Sequence, residues 1–194
     1  MEALEAIVTR RSTRRMKREV PPRELIEKVL EAGKAAPSGH NNHTAHFLVI
    51  TKQEVLSALR ELVQEAFSQM EADENTYASL RHSIEASKRG GYVYDYLGPV
   101  LIVVADQKGY GNAMADSACA LENMMIAANA LDLGSCYINQ LHWLDENPKV
   151  RAFLEELGLE KEETITCSMI LGYGEGGLPL RGEREKRGNP VTWV

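Results

Sequence analysis

A single domain of mixed α and β structure is the fold class that the sequence predicts for residues 1–194. Segments with apolar side chains at helical spacing alternate with short apolar runs of strand length, which is the pattern of a mixed domain. The chain length suits one domain, and a content of 44% hydrophobic and 26% charged residues is typical of a globular protein.

Two amphipathic helices are predicted near the N-terminus. The first is expected to end near the basic segment 10–18, and its helical spacing rests on Leu4, Ile7, Val8 and Arg11. The second begins at Pro21–Pro22, because proline is favoured in the first turn of a helix, and ends at residues 37–39. Its apolar face consists of Leu25, Ile26, Val29 and Leu30. Residues 35–45 are therefore expected to form a loop before the next strand.

Four apolar runs predict buried strands, at residues 47–50, 100–105, 134–138 and 164–173. Further helices are predicted over residues 53–70 and from Pro148 onward, and residues 139–141 are predicted to form a loop. The polar segment 71–95, which is broken at Gly90–Gly91, has no clear period. We expect this segment to be mobile.

The helix predicted over residues 113–131 is apolar on nearly every face. Such a helix has to be covered by a large core or by another subunit. Because a domain of this size rarely encloses such a helix alone, we expect an obligate homodimer. The tail 178–194 has no helical period, and Val191 and Trp193 favour its lying along another surface.

Cysteine content and charge argue against several classes of protein. Cys119, Cys136 and Cys167 form no Cys-x-x-Cys pair, which favours a reducing compartment over a disulfide framework. A net charge of −6 argues against nucleic acid as a partner. No apolar run approaches the roughly twenty residues of a membrane span, and the acidic N-terminal segment differs from a secretory signal. We therefore expect a cytoplasmic protein that binds neither nucleic acid nor a membrane.

Two local patterns are weak candidates for sites. His40, His43 and His46 recur at three-residue intervals, but neither a helix nor a strand brings three such side chains together, so a metal site is disfavoured. Residues 172–177 match Gly-x-Gly-x-x-Gly after a strand. That motif needs a following helix, which Leu178–Pro179 prevents, so we do not expect a dinucleotide-binding fold.

Basic residues cluster near both ends of the chain, at residues 10–18 and 181–187. A run of charge is usually a solvated face. However, forked guanidinium donors beside a hydroxyl group, as in residues 10–14, also suit an anionic and polyhydroxylated ligand. Together the two clusters would suit a phosphorylated cofactor.

Several segments together resemble the nitroreductase family of FMN-dependent oxidoreductases. They are Arg-Arg-Ser-x-Arg from Arg10, Ala-Pro-Ser-Gly-x-Asn from Ala36, Gly-Pro-Val-Leu-Ile-Val-Val from Gly98, Asp-x-Ala-x-Ala-Leu-x-Asn-Met-Met from Asp116, Leu-Gly-Ser-Cys-Tyr-Ile from Leu133 and Leu-Gly-Tyr from Leu171. The resemblance covers nearly the whole chain. It implies an α+β, three-layer fold, with a mixed β-sheet flanked by helices, in an intertwined homodimer.

The resemblance also implies which residues bind FMN. The FMN ribityl chain, phosphate and pyrimidine edge would contact Arg10, Arg11, Ser12 and Arg14, and the phosphate would also contact Arg184, Lys186 and Arg187. The loop that reaches FMN from the neighbouring subunit would contain Pro37, Ser38, Gly39 and Asn41. Backbone groups beside the flavin face and its N5 edge would come from Ile138, Asn139 and Gln140. The family needs no obligatory side-chain acid or base, so no catalytic side chain is assigned, because the cofactor carries the chemistry.

The implied function is the transfer of a hydride from NAD(P)H through FMN to a small organic acceptor, such as a nitroaromatic compound, quinone or enone, in ping-pong order. Two alternatives stay open. One is an FMN-binding carrier or sensor without turnover, and the other is a reductive dehalogenase or flavin-modifying enzyme on the same fold. The chain also departs from the family where His43 and Ala45 replace an amide and a large aromatic residue, which leaves the substrate open.

Overall fold

Four strands form the central sheet in a computed structural model that describes residues 2–176 and 188–194. The strands are β1 (His46–Ile50), β2 (Val100–Gln107), β3 (Gly134–Ile138) and β4 (Glu163–Gly172). Their order across the sheet is β1-β2-β4-β3, so β1 and β3 are the two edges. The four predicted strands are thus confirmed.

Seven α-helices surround the sheet in the described part of the chain. They are α1 (Ala3–Thr9), α2 (Arg23–Lys34), α3 (Gln53–Ser68), α4 (Ala78–Arg89), α5 (Ala113–Ala130), α6 (Gln140–Trp143) and α7 (Pro148–Glu156). Two differences from the sequence analysis stand out. The segment 71–95 contains helix α4, which ends before Gly90 and Gly91, both at positive φ. Residues 140–143 form a short helix where a loop was expected.

The sheet lies between two helical layers, so the three-layer α+β prediction is confirmed. Successive residues of β2 point to opposite faces: Leu101 and Val103 pack with α3, α4 and α7, whereas Ile102 and Val104 pack with α2 and α5. Residues 100–105 are at most 1% exposed, as expected for a strand covered on both faces. The rigid centre of the domain is therefore this strand and its neighbour β4.

All pairings between named strands are antiparallel. The expected mixed sheet is therefore wrong for these four strands. Within residues 2–176 and 188–194, the parallel pairing is an isolated bridge between Ser12 and Ser135. This bridge attaches the N-terminal segment to the free edge of β3. An edge strand leaves backbone groups unpaired, and the segment 12–13 satisfies some of them.

Helix α5 is buried on one side only within the chain. Met124 and Ala128 lie in the core, but a stripe of mostly small or apolar side chains is exposed on the other side: Met114, Ala115, Ala118 and Cys119. This exposure agrees with the expectation that the chain alone does not cover the whole of this helix. Leu4 and Val8 on α1, which packs against α5, are also exposed, at 77% and 64%.

None of the helices in residues 2–176 is both long and apolar enough to cross a membrane. Among the C-terminal residues 188–194, Trp193 is 91% exposed, so the described part of the chain leaves this side chain almost uncovered.

Candidate functional site

The basic segment 10–14 lies along the outer edge of β3. The Thr13 N–H donates to the Ser135 carbonyl oxygen at 2.8 Å, and Ser12 forms the bridge with Ser135. Gly134 permits this approach, because a Cβ atom there would lie 2.7 Å from the Thr13 side chain. Backbone pairing therefore fixes the direction in which residues 10–14 present their side chains.

The guanidinium groups of this segment have different surroundings. Arg10 Nε lies 3.4 Å from the Glu122 carboxylate on α5, and Arg11 Nη1 donates to the carbonyls of Val8 and Arg10 at the end of α1. The Arg14 side chain is exposed, and its guanidinium lies 5.7 Å from the ring centre of Tyr96, within cation–π range. Arg14 is thus the member of the segment that is directed toward an aromatic wall.

The pKa of the Cys136 thiol in β3 is influenced by the positive charge of this segment. Burial raises the pKa of the Cys136 thiol, whereas the nearby Arg14, Ser12 and Arg10 oppose the increase. The thiol is buried and stays protonated, which makes it an unsuitable nucleophile. The positive charge beside β3 is therefore available to an anionic ligand rather than to a thiolate.

Two adjoining cavities open at the end of β3. One, of about 300 Å³, is lined by Ile138, Asn139 and Gln140 together with the aromatic residues Tyr77, Tyr96, Tyr137 and Trp143. The other, of about 510 Å³, shares Ser79, Tyr96 and Gln140 with the first and extends along α4 to Tyr92. We call the two together the aromatic cleft. Its aromatic walls suit a flat organic molecule, and the polar groups among them, including Asn139 and Gln140, could fix the orientation of that molecule.

A chain of hydrogen bonds crosses the floor of the aromatic cleft. Gln140 Nε2 donates to Tyr92 Oη at 2.9 Å, Tyr92 Oη lies 2.8 Å from Ser83 Oγ, and Ser83 Oγ donates to the Ser79 carbonyl oxygen. Because the Ser83 hydroxyl is already a donor, the Tyr92 hydroxyl donates to it. The Gln140 Oε1 atom accepts from the Asn139 N–H at 3.1 Å, so both ends of this carboxamide are held.

The turn that carries Tyr96 is fixed by a buried ion pair. Tyr96 and Leu97 have φ of 50° and 57°, which are uncommon for residues other than glycine. Arg60 Nε donates to both carboxylate oxygens of Asp95 at 2.8 Å, and Asp95 is fully buried. This pair holds the backbone immediately before Tyr96.

The loop between α2 and β1 lies elsewhere in the molecule. It contains Ser38, Gly39 and Asn41, and it borders a third cavity, of about 520 Å³, together with α2 and α5. The loop leads into β1, whereas residues 12–13 pair with β3, so the two predicted binding segments lie at opposite edges of the sheet. Three strand spacings separate these edges by about 14 Å.

Two of the three histidines of this region, His43 and His46, have ordinary polar partners. His43 Nε2 lies 2.8 Å from Asn41 Oδ1, and His46 Nδ1 lies 2.9 Å from Glu163 Oε2. Within residues 2–176 and 188–194, no group of three or more His, Cys, Asp or Glu side chains is arranged to hold a metal ion.

The structure therefore brings only part of the predicted site together. Arg10, Ser12 and Arg14 lie beside the strand that leads to Ile138, Asn139 and Gln140, whereas Pro37, Ser38, Gly39 and Asn41 are remote from them in the same chain. Arg184, Lys186 and Arg187 lie outside the described residues. Tyr92 and Tyr96 were missed by the sequence analysis, because they belong to the segment 71–95 and its end, where no period was found.

Comparisons with protein families, with known sequences and with solved structures all match this chain to nitroreductases. The family model described as "Nitroreductase family" matches residues 7–173. A protein of Archaeoglobus fulgidus, provisionally named an NADH dehydrogenase/NAD(P)H nitroreductase, is 29% identical over 179 residues, which are 89% of this chain and 85% of that protein. A solved Bacteroides fragilis nitroreductase with bound FMN is 34% identical with a TM-score of 0.86, and the match covers 100% of this chain and 99% of that one. A Desulfitobacterium hafniense nitroreductase with bound FMN is 25% identical with a TM-score of 0.78, covering 99% and 100%.

Proposed function

Because the chain belongs to the nitroreductase family, we propose that it is an oxidoreductase that binds FMN and transfers electrons from NADH or NADPH to a small organic acceptor. The observation that carries this proposal is the position of the Arg14 cation over Tyr96, at the aromatic cleft beside Asn139 and Gln140. Positive charge beside a cleft with aromatic walls suits a planar ring system with an anionic substituent.

The residues present fit FMN in their donor chemistry. The ribityl and phosphate groups of FMN need hydroxyl and guanidinium partners, which Ser12, Arg10 and Arg14 provide beside β3. Arg11 would add to the same positive field. The ring system of FMN needs apolar and aromatic walls, which the cleft provides. Gly134 supports this fit, because its lack of a Cβ lets the basic segment lie close against the strand.

FMN, when bound, supplies the two-electron redox chemistry, and the chain supplies orientation and electrostatics. A guanidinium beside the pyrimidine edge would stabilise negative charge there, by the same logic as an oxyanion hole. The backbone at Ile138–Gln140 would border the reactive edge, and the bond from the Asn139 N–H to Gln140 Oε1 fixes that backbone. Donor and acceptor would use the same cleft one after the other, which is the order of a ping-pong mechanism.

A homodimer with shared sites forms part of this proposal. The exposed stripe on α5, together with Leu4 and Val8 on α1, gives an apolar surface suited to a second copy of the chain. Two-fold symmetry would allow the loop 37–41 of one subunit to complete the site at the basic segment of the other. Pro37, Ser38, Gly39 and Asn41 would then contact the partner's FMN, and Arg184, Lys186 and Arg187 would add charge at its phosphate.

Purified protein tests the flavin proposal directly. We expect a yellow protein, or an apoprotein that takes up one FMN per subunit, and anaerobic NADH or NADPH should bleach the flavin absorbance. Initial rates with a quinone or a nitroaromatic acceptor should give parallel double-reciprocal lines. A protein that takes up no FMN would contradict the proposal, whereas bound FMN that neither nucleotide reduces would favour a carrier or sensor.

Substitutions test the two basic clusters separately. Arg14→Ala should weaken FMN retention, and Arg184→Ala should do so in a way that depends on salt concentration, because a phosphate contact is screened by ions. FMN affinities equal to that of the unmodified protein in both variants would count against the two-cluster arrangement.

A further inference from the structure

Two side chains outside the loop 37–43 fasten it to the start of α5. The Gly39 N–H donates to Asp116 Oδ2 at 3.0 Å. The Tyr110 hydroxyl donates to the same Asp116 oxygen at 2.8 Å and lies 3.2 Å from the Gly39 carbonyl oxygen. The two polar groups of one backbone position are thus held by a carboxylate and a phenol that also contact each other. We call Asp116 and Tyr110 the loop clamp.

The loop needs such a clamp because of its backbone conformation. His40, Asn41 and His43 all have φ between 51° and 58°, in the left-handed region. Such conformations are sparsely populated in residues other than glycine and persist only where the surrounding structure fixes them. Three of the four residues 40–43 have such a conformation, so without contacts to the rest of the domain this loop would sample several conformations.

Contacts within the loop determine part of its shape but not its place on the domain. Ser38 Oγ accepts from the His43 N–H at 3.0 Å, and the His43 ring lies 2.8 Å from Asn41 Oδ1. These bonds join loop residues to one another. The contacts of Gly39 with Asp116, 77 residues away, and with Tyr110 join the loop to the body of the domain.

We propose that Asp116 and Tyr110 are positioning residues of the cofactor site, which hold residues 38–41 in the conformation that completes the site of the partner subunit. The inference rests on the proposed function, because it assigns a purpose to the loop only if FMN is bound. Asp116 is half-buried near the start of α5, between the exposed stripe residues Ala115 and Ala118 in the sequence. The clamp therefore ties the loop to the same helix surface that a second subunit would cover.

The test compares FMN affinity in Tyr110→Phe, Asp116→Ala and the double variant with that of the unmodified protein. Each single variant should raise the dissociation constant of FMN by about tenfold, since each removes a hydrogen bond to a charged or strained group. Both residues act on Gly39 through one shared network. The fold-increase in the dissociation constant of FMN should therefore be smaller in the double variant than the product of the increases in the two single variants. Tyr173→Phe is the matched control, because the Tyr173 side chain takes no part in the clamp, and its affinity should be unchanged.

Two further measurements separate positioning from a general loss of stability. The thermal midpoint of the FMN-free Tyr110→Phe protein should stay within a few degrees of the unmodified value. In the FMN-loaded variant the fluorescence of the bound flavin should increase, because a loosened loop exposes the ring to water. A lowered midpoint with unchanged FMN affinity and fluorescence would overturn the positioning role. If the unmodified protein itself takes up no FMN, the proposed function fails instead, and that result is visible before any variant is measured.

Discussion

The basic segment 10–14 and the loop 37–43 are predicted to bind one ligand, yet they are built in different ways. Backbone pairing with the edge strand β3 positions the segment, and such pairing is a regular device. The loop has three non-glycine residues at positive φ and depends on the side chains of Tyr110 and Asp116. Backbone pairing thus makes one region an extension of the sheet, whereas polar side chains hold the other.

The positions of these two regions indicate how a complete site would be assembled. The segment adjoins β3 and the loop precedes β1, which are opposite edges of the same sheet. A separation of about 14 Å through the strands cannot be closed without breaking the core. A site that uses both regions is therefore expected to combine the segment of one subunit with the loop of another.

Mixing two defective subunits should give the largest effect. One variant carries Arg10→Ala and Arg14→Ala, the other carries Gly39→Val, and neither homodimer should bind FMN at a concentration that fills the unmodified protein. After unfolding and refolding together, about a quarter of the sites should be filled, because half of the dimers are mixed and each mixed dimer has one intact site. Equilibrium dialysis measures this fraction. No recovery, with mixed dimers demonstrated by mass spectrometry, would place both regions in one subunit's site.

Gly39→Ala should produce the next largest effect, by displacing the loop clamp. An added Cβ would lie 2.4 Å from both Tyr110 Oη and Asn112 Nδ2, so the hydroxyl would have to move away from Asp116. We expect FMN affinity to fall by ~10- to 100-fold, corresponding to the roughly 1–3 kcal/mol of an overpacked site. Gly111→Ala is the matched control, because a Cβ there meets no atom within 4 Å. Equal affinities in the two variants would show that the loop position does not matter.

The same comparison explains how much the sequence could predict. Apolar runs and helical spacing identified the four strands and five of the seven described helices, because burial imposes these patterns locally. The loop motif around Gly39 was also visible, but its contact with Asp116 joins residues far apart and leaves no local signal. Tyr96 was missed for a related reason: its position depends on the buried Arg60–Asp95 pair, which the sequence does not reveal.

Arg14→Ala should have a smaller effect than loss of the loop position. The change removes the cation over Tyr96 and so reduces the positive electrostatic potential at the cleft. We expect about a tenfold loss of FMN affinity. Arg14→Lys keeps the charge but loses the planar fork, so it should recover only part of the affinity. Titrations at low and high salt separate the two contributions, since only the charge is screened. If Arg14→Lys bound FMN as weakly as Arg14→Ala at low salt, charge would not be the cause.

Tyr92→Phe should have the smallest effect and should act on the acceptor rather than on the cofactor. The change removes the hydroxyl between Gln140 and Ser83 but keeps the ring that packs against Phe67. Burial raises the pKa of Tyr92, so its hydroxyl stays protonated through neutral and mildly alkaline pH, and the hydrogen-bond chain should not titrate there. We expect FMN affinity to be unchanged and kcat/KM for a quinone to fall by roughly two- to fivefold, the value of one neutral hydrogen bond. Steady-state kinetics measures this effect, with Tyr77→Phe as the control, because Tyr77 lines the cleft but is not a member of this chain of hydrogen bonds. A fall in FMN affinity instead would mean that this chain of hydrogen bonds contributes to cofactor binding. An effect on the acceptor alone would then be contradicted.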